Sequence, residues 1–201
     1  MVLAGDEYDT WSTMQTAPRR KAEWLLGRVA LKDAVRGWAI RRHRIMLAPQ
    51  AIIVETTPAG APFVRCAALE ERGAVPAISL AHCPTLVLAG ATDPGPGLGV
   101  DIEAQNRNVS ALARALTAEE SAMVADRGVG VLEIVVAKEA AAKARGVGLG
   151  GNLARWPVLE AMNDGLQLRV LAPGPDPGPV TVRLQRREGY VVAVTSCDVD
   201  H

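Results

Sequence analysis

Two carboxylates stand two residues apart in an otherwise apolar stretch of this chain. They are Asp101 and Glu103 in GLGVDIEA, residues 97–104. In a strand, side chains at i and i+2 share one face and lie roughly 6.5–7 Å apart. Val100 and Ile102 then point to the other face, toward a core. Two negative charges that close repel unless something offsets them. A second chemical pair, Glu139 and Lys143 in AKEAAAKARG (137–146), is four residues apart and so shares one helix face. Leu132 and Val136 lie on the same face, so the pair borders apolar surface. Alone it reads as a surface ion pair worth about 0.3–0.5 kcal/mol. Together with Asp101 and Glu103, Glu139 makes three carboxylates, and three carboxylates converging on one point need a cation. Oxygen-only ligation suits Mg²⁺, which keeps several waters and shares its sites with substrate phosphates. His82 and a basic first helix supply further donors for such phosphates.

These residues need elements to position them. Residues 19–43 read as a long helix. At 100° per residue, Trp24, Leu31, Val35 and Trp38 form an apolar stripe. Lys21, Arg28, Lys32 and Arg36 form a neighbouring basic stripe, read as a solvated face suited to an anionic ligand or partner. Arg41, Arg42 and Arg44 extend its positive character. Strand-like segments follow at 51–56, 76–82, 85–91 and 97–103, broken by TPAG and ATDPGPG. Thr117 with Glu120 makes a capping box. Residues 129–145 predict a strong helix with Gly146 as its stop. The remainder is β-rich. Asn163-Asp164-Gly165 signals one hairpin and Glu188-Gly189 a turn between VTVRLQR and YVVAVTSC. APGPDPGPV (172–180) reads as a mobile loop. The order of helices and strands predicts an α+β fold in two halves, 1–96 and 97–201. No internal repeat is visible in residue identity.

Composition narrows the class. An apolar content of 49% in 201 residues is enough for a substantial core. No apolar run is long enough to span a membrane, and MVLAGDEYDTW lacks the features of a secretory signal. Lys+Arg and Asp+Glu both number 22, so net charge gives no sign of a nucleic-acid partner. Cys66, Cys83 and Cys197 form no CxxC pair and read as reduced thiols of a cytoplasmic protein. GVGLGG (146–151) matches G-x-G-x-x-G by letter, but it follows a helix and opens none, so it is no dinucleotide fingerprint.

GVDIE followed by AKEAAAKARGVGL resembles the paired signature of the 4'-phosphopantetheinyl transferases. ISLAHC resembles that family's strand ending in a histidine, GAP (60–62) stands where the family has a Gly-x-Pro turn, and WLLGRVALKDAV is similar to its first helix. The closer likeness is to the two-lobed, surfactin-synthetase-activating type. EYDTW…EWLLGRVALKDAVR also resembles transferase domains attached to polyketide synthases. The resemblance implies two pseudo-symmetric α/β halves with a coenzyme A cleft between them, in a monomer. It implies transfer of the phosphopantetheine arm of coenzyme A to a serine of an acyl or peptidyl carrier protein, releasing adenosine 3',5'-bisphosphate. Asp101, Glu103 and Glu139 would hold Mg²⁺, and Glu139 would help deprotonate the serine. Lys143 would contact a phosphate, and His82 the 3'-phosphate or a pyrophosphate oxygen, with backbone donors at Ala81. Arg19, Arg20 and Arg28 are candidates for the bases that the family carries ahead of its first helix.

Three departures stand beside the likeness. Val135 occupies a slot where the family often has Trp, Ala61 one that commonly carries Lys, and Ala81 one that is often Ser. Val135 touches packing more than chemistry, whereas Ala61 and Ala81 motivate a second reading, a carrier-protein-binding module with weak catalysis. A third is an unrelated Mg²⁺-dependent phosphohydrolase built on the same carboxylates.

Overall fold

The computed structural model describes residues 2–95, 97–174 and 178–195. Cys197, the middle of the sequence-predicted loop at 172–180 and the end of the last sequence-predicted strand lie outside the described residues. The chain divides into two compact units, Met1–Pro96 and Gly97–His201.

The first unit is built on α2 (Pro18–His43), which follows a short α1 (Gly5–Thr13). Pro18 suits the first turn of α2, where its missing N–H costs nothing. Then come β1 (Ile53–Thr56), β2 (Pro62–Arg65), a single turn α3 (Ala67–Glu70), β3 (Ala77–His82) and β4 (Val87–Thr92). β1 pairs with β2 and β3 with β4, each antiparallel, in separate two-stranded sheets. Leu31, Val35 and Trp38 of the sequence-predicted apolar stripe are buried, with Ile52, Val54, Leu69 and Ile78, in one core.

The second unit carries β5 (Val100–Ala104), a turn α4 (Ser110–Ala113), α5 (Ala118–Asp126), α6 (Val131–Ala144) and strands β6 (Val158–Met162), β7 (Gln167–Leu171), β8 (Pro179–Arg187) and β9 (Tyr190–Thr195). The strands form one antiparallel sheet in the order β5-β9-β8-β7-β6. α6 is apolar nearly all round, the mark of a helix enclosed by its domain. Ile134, Val136, Ala137 and Ala140 are fully buried against the inner face formed by Leu168, Val182, Val191 and Ala193. Gly146 ends α6 in the left-handed region, φ 69°. Its N–H donates to Lys143 O and that of Val147 to Ala142 O, the paired bonds of a Schellman stop. Both hairpin signals are realised. Asn163, Asp164 and Gly165 all have positive φ, and Glu188 and Gly189 form a two-residue turn that pairs Arg187 with Tyr190.

The box at Thr117 forms as the sequence predicts. Glu120 N donates to Thr117 Oγ1 at 3.2 Å and Thr117 N to Glu120 Oε2 at 3.0 Å. Thr117→Ala is expected to cost about 1 kcal/mol in urea melts, and an unchanged midpoint would show that the cap contributes nothing here.

Glu120 also does something the capping pattern does not reveal. It is fully buried and paired with fully buried Lys138 of α6, at 2.7 and 2.8 Å. Its Oε1 accepts from Val158 N at 2.8 Å, and Lys138 donates to Leu153 O. The first unit repeats this chemistry. Glu7 of α1 pairs with fully buried Lys32 of α2, and its oxygens accept from Ala4 N and Val54 N. In each unit a glutamate near a helix start ties together its own helix, a lysine of the next helix and a strand N–H. Removing one member of such a buried pair would strand the other's charge.

That arrangement corrects the reading of the basic stripe. Lys32 is no solvated donor, because Glu7 draws it inward. Lys21 lies over the Trp11 ring and donates to Ser12 O. Arg36 binds Asp33 and Leu47 O. A helix that looks amphipathic and basic on paper spends these charges inside its own unit. Among the described residues no helix is long and apolar enough to cross a membrane.

Candidate functional site

The register of β5 decides which way its carboxylates point. Asp101 pairs with Ala193 and Glu103 with Val191, both of which lie in the core beneath α6. Side chains alternate along a strand, so Asp101 and Glu103 face α6 while Val100 and Ile102 face the opposite side. Those two are buried, as the sequence predicts. β5 stands at the sheet's edge, with Asp101 buried and Glu103 half-buried.

Glycines set the distance between strand and helix. A Cβ on Gly99 would lie 1.8 Å from Ala140 O, and one on Gly97 1.8 Å from Ala144 O. Only glycine lets the segment leading into β5 run this close to the last turns of α6. Gly99 is fixed from the other side as well. Its N–H donates to Thr195 Oγ1 at 2.8 Å, and its carbonyl accepts from Thr195 N at 2.9 Å.

The close approach brings Lys143 onto the strand. Its Nζ donates to Asp101 Oδ1 at 2.8 Å and to Val100 O at 3.1 Å. The ion pair of Lys143 is therefore with Asp101, not with Glu139 four residues before it. Glu103 pairs with Arg107, a residue the sequence reading did not single out. The spacing was the available signal, since Arg107 stands four residues after Glu103.

Burial and mutual repulsion shape the charges. Burial pushes the Asp101 carboxyl above its ordinary range, and the Lys143 ammonium only partly offsets this. Glu103 is likewise raised by burial, with Arg107 opposing. Glu139 is raised by burial first and then by the charge of Asp101. The three acids thus feel one another.

Whether they suit a metal ion is a matter of donors and of arrangement. The donors are oxygen only and carry more negative charge than their surroundings favour, which fits a hard divalent cation. Among the described residues, however, no three His, Cys, Asp or Glu side chains are placed to hold an ion together. Lys143 and Arg107 occupy oxygens such an ion would need. The donor types suit Mg²⁺, which takes one or two protein carboxylates and completes its shell with water and substrate phosphates.

The remaining sequence-predicted residues belong to the first unit. His82 ends β3, and its ring rests against α2 at Gly27, where an added Cβ would meet Cε1 at 3.4 Å. Ala81 is buried and Arg20 is exposed. Arg19 is exposed and paired with Glu23. Arg28 lies over the Trp24 ring, 4.4 Å from its centroid, with Glu7 at 4.0 Å. Its Nε is buried without a hydrogen-bond partner among the described residues. Burial pulls the Arg28 guanidinium below its ordinary value, opposed by Glu7.

Comparison with known proteins addresses the second unit. No curated protein matches the chain. Residues 97–195, from Gly97 before β5 to Thr195 at the end of β9, match the 4'-phosphopantetheinyl transferase superfamily. GVDIE and the Glu139–Lys143 helix both fall inside that span, and through this unit the chain belongs to the 4'-phosphopantetheinyl transferase superfamily.

Proposed function

We propose that the chain transfers the 4'-phosphopantetheine arm of coenzyme A to a serine of an acyl or peptidyl carrier protein, with Mg²⁺. The observation that carries this reading is the meeting of Lys143 with Asp101, beside Glu103 and Glu139, inside the matched residues. The serine oxygen attacks the phosphorus next to the pantetheine arm. The pyrophosphate P–O bond breaks, and adenosine 3',5'-bisphosphate leaves with the electron pair.

Asp101, Glu103 and Glu139 are the residues assigned to Mg²⁺. Bound there, the ion would neutralise charge that builds on the pyrophosphate as the bond breaks. Glu139 is also assigned to take the serine proton, as a carboxylate beside the ion. Lys143, which donates to Asp101, is assigned to a phosphate oxygen as well, where a fixed positive charge stabilises the transition state. In the first unit, His82 and Arg28 are assigned to phosphates of coenzyme A, with Arg20 and the backbone at Ala81 as further contacts. Among the described residues the Nε of Arg28 makes no hydrogen bond and has only the Glu7 carboxylate at 4.0 Å, which leaves room in its hydrogen bonding for a further anion. The finer type, two-lobed and associated with polyketide assembly, is proposed on the motif order across both units.

Incubation of candidate carrier proteins with the enzyme, coenzyme A and Mg²⁺ tests the reading by intact mass spectrometry. A gain of one phosphopantetheine is expected. Carrier binding without a mass gain would favour the weakly catalytic module that Ala61 and Ala81 suggest. Cleavage of coenzyme A with no carrier present would favour a phosphohydrolase.

A further inference from the structure

We propose that Arg107 is a positioning residue of the carboxylate site, holding Glu103 in the metal-free protein and yielding it to an arriving divalent cation. The inference rests on the assignment of Asp101 and Glu103 as metal ligands. Three carboxylates here face two cations, Lys143 on Asp101 and Arg107 on Glu103. A divalent ion joining all five groups would sit beside two like charges, so at least one of them must withdraw.

The structure distinguishes which. Lys143 is 28% exposed, rises from a buried helix and has a second acceptor in Val100 O. Arg107 is 42% exposed, and among the described residues its ion pair is with Glu103. Its backbone is fixed in the turn after β5, where Arg107 N donates to Ala104 O at 3.0 Å and Gln105 N to Gly189 O at 2.8 Å. The guanidinium can swing into water while its Cα stays in place. Glu103 is the less exposed partner, at 18%, and remains on the inner face of β5. Arg107 therefore holds the Glu103 side chain until a stronger cation takes it.

The test uses Mn²⁺, which shares the charge and oxygen preference of Mg²⁺, with binding read by electron paramagnetic resonance and calorimetry on the full chain. Arg107→Ala should bind Mn²⁺ about fivefold more tightly than wild type, the factor a surface pair of about 1 kcal/mol represents. Arg107→Lys retains a cation and should stay within about twofold of wild type. Circular dichroism checks that both variants keep the fold. If Arg107→Ala leaves Mn²⁺ affinity unchanged or weaker while Glu103→Gln reduces it, the role given to Arg107 is wrong and the metal assignment stands. If wild type binds no Mn²⁺, or binds it equally with Asp101→Asn and Glu103→Gln, both ideas fall together.

Discussion

Replacing Asp101 with asparagine is expected to abolish transfer while leaving the metal-free fold at least as stable as wild type at neutral pH. The activity loss follows from removing a charge assigned to the ion that neutralises the transition state. An effect of several kcal/mol on the barrier corresponds to about a thousandfold or more in rate. The stability expectation follows from the balance of forces on the carboxylate. Its pairing with Lys143 favours the charged form, yet burial outweighs that pairing and the carboxyl is raised on balance. A raised carboxyl binds its proton more tightly in the folded chain than in the unfolded one. Between the two pKa values the folded state holds more protons, so stability falls as pH rises through that window. Glu103 and Glu139 are raised in the same sense. The metal-free wild type should therefore lose part of its stability as pH rises from about 4 through the window that these raised carboxyls define. Mg²⁺ should recover the loss. The asparagine amide resembles a permanently protonated carboxyl and still offers Lys143 an acceptor oxygen. The variant should therefore show a shallower decline and little response to Mg²⁺. Thermal melts across pH with and without Mg²⁺, run beside the transfer assay, test both halves. A variant that melts far below wild type but transfers the arm at an undiminished rate would falsify the ligand assignment.

The carboxylate pair was legible in the sequence because strand alternation is a short-range rule. Once VDIE is a strand, Asp101 and Glu103 must share a face, and the register adds only which face that is. Glu139 and Lys143 were legible as helix neighbours for the same reason. Their real connection was not, because Lys143 turns to Asp101, 42 residues away in the chain, and no local periodicity encodes that contact. The capping box at Thr117 was readable, whereas the pairing of its Glu120 with Lys138 needed α6 in place. The same gap misled the reading of Lys32. Spacing put it on a basic stripe, but α1, which carries Glu7, went unrecognised because its N-cap is Ala4, without the usual Ser, Thr, Asp or Asn signal. β2 was missed as well, a four-residue strand that begins at a proline. Charges buried by distant partners are the recurrent failure, since nothing in a residue's own neighbourhood announces them.

Gly99 is the position where a single methyl group should do the most damage to the fold. The strand that follows it carries Asp101, and the helix that carries Lys143 passes within van der Waals reach of its Cα hydrogens. An alanine there would set Cβ 1.8 Å from Ala140 O, with Ala144 N a further neighbour at 2.8 Å. Neither atom belongs to a flexible side chain. Both are backbone of a buried helix, so relief requires β5 and α6 to separate. The strand cannot simply slide away, because Gly99 is bonded through both N–H and C=O to Thr195 of β9. Overpacking in a well-filled core commonly costs about 1–3 kcal/mol, and a clash between two backbones lies beyond the upper end of that range. That is a large part of the stability of a domain of this size, about 5–15 kcal/mol. Gly99→Ala should therefore lower the melting temperature by about 10 °C or more or yield no soluble folded protein. Gly146→Ala serves as the control, because it is strained only by a positive φ of 69° and meets no atom within 4 Å. It should lose much less, about 1–2 kcal/mol. Equal melting of the Gly99 variant and wild type would mean that β5 does not rest on α6 through this contact, and the geometry that delivers Lys143 to Asp101 would need another support.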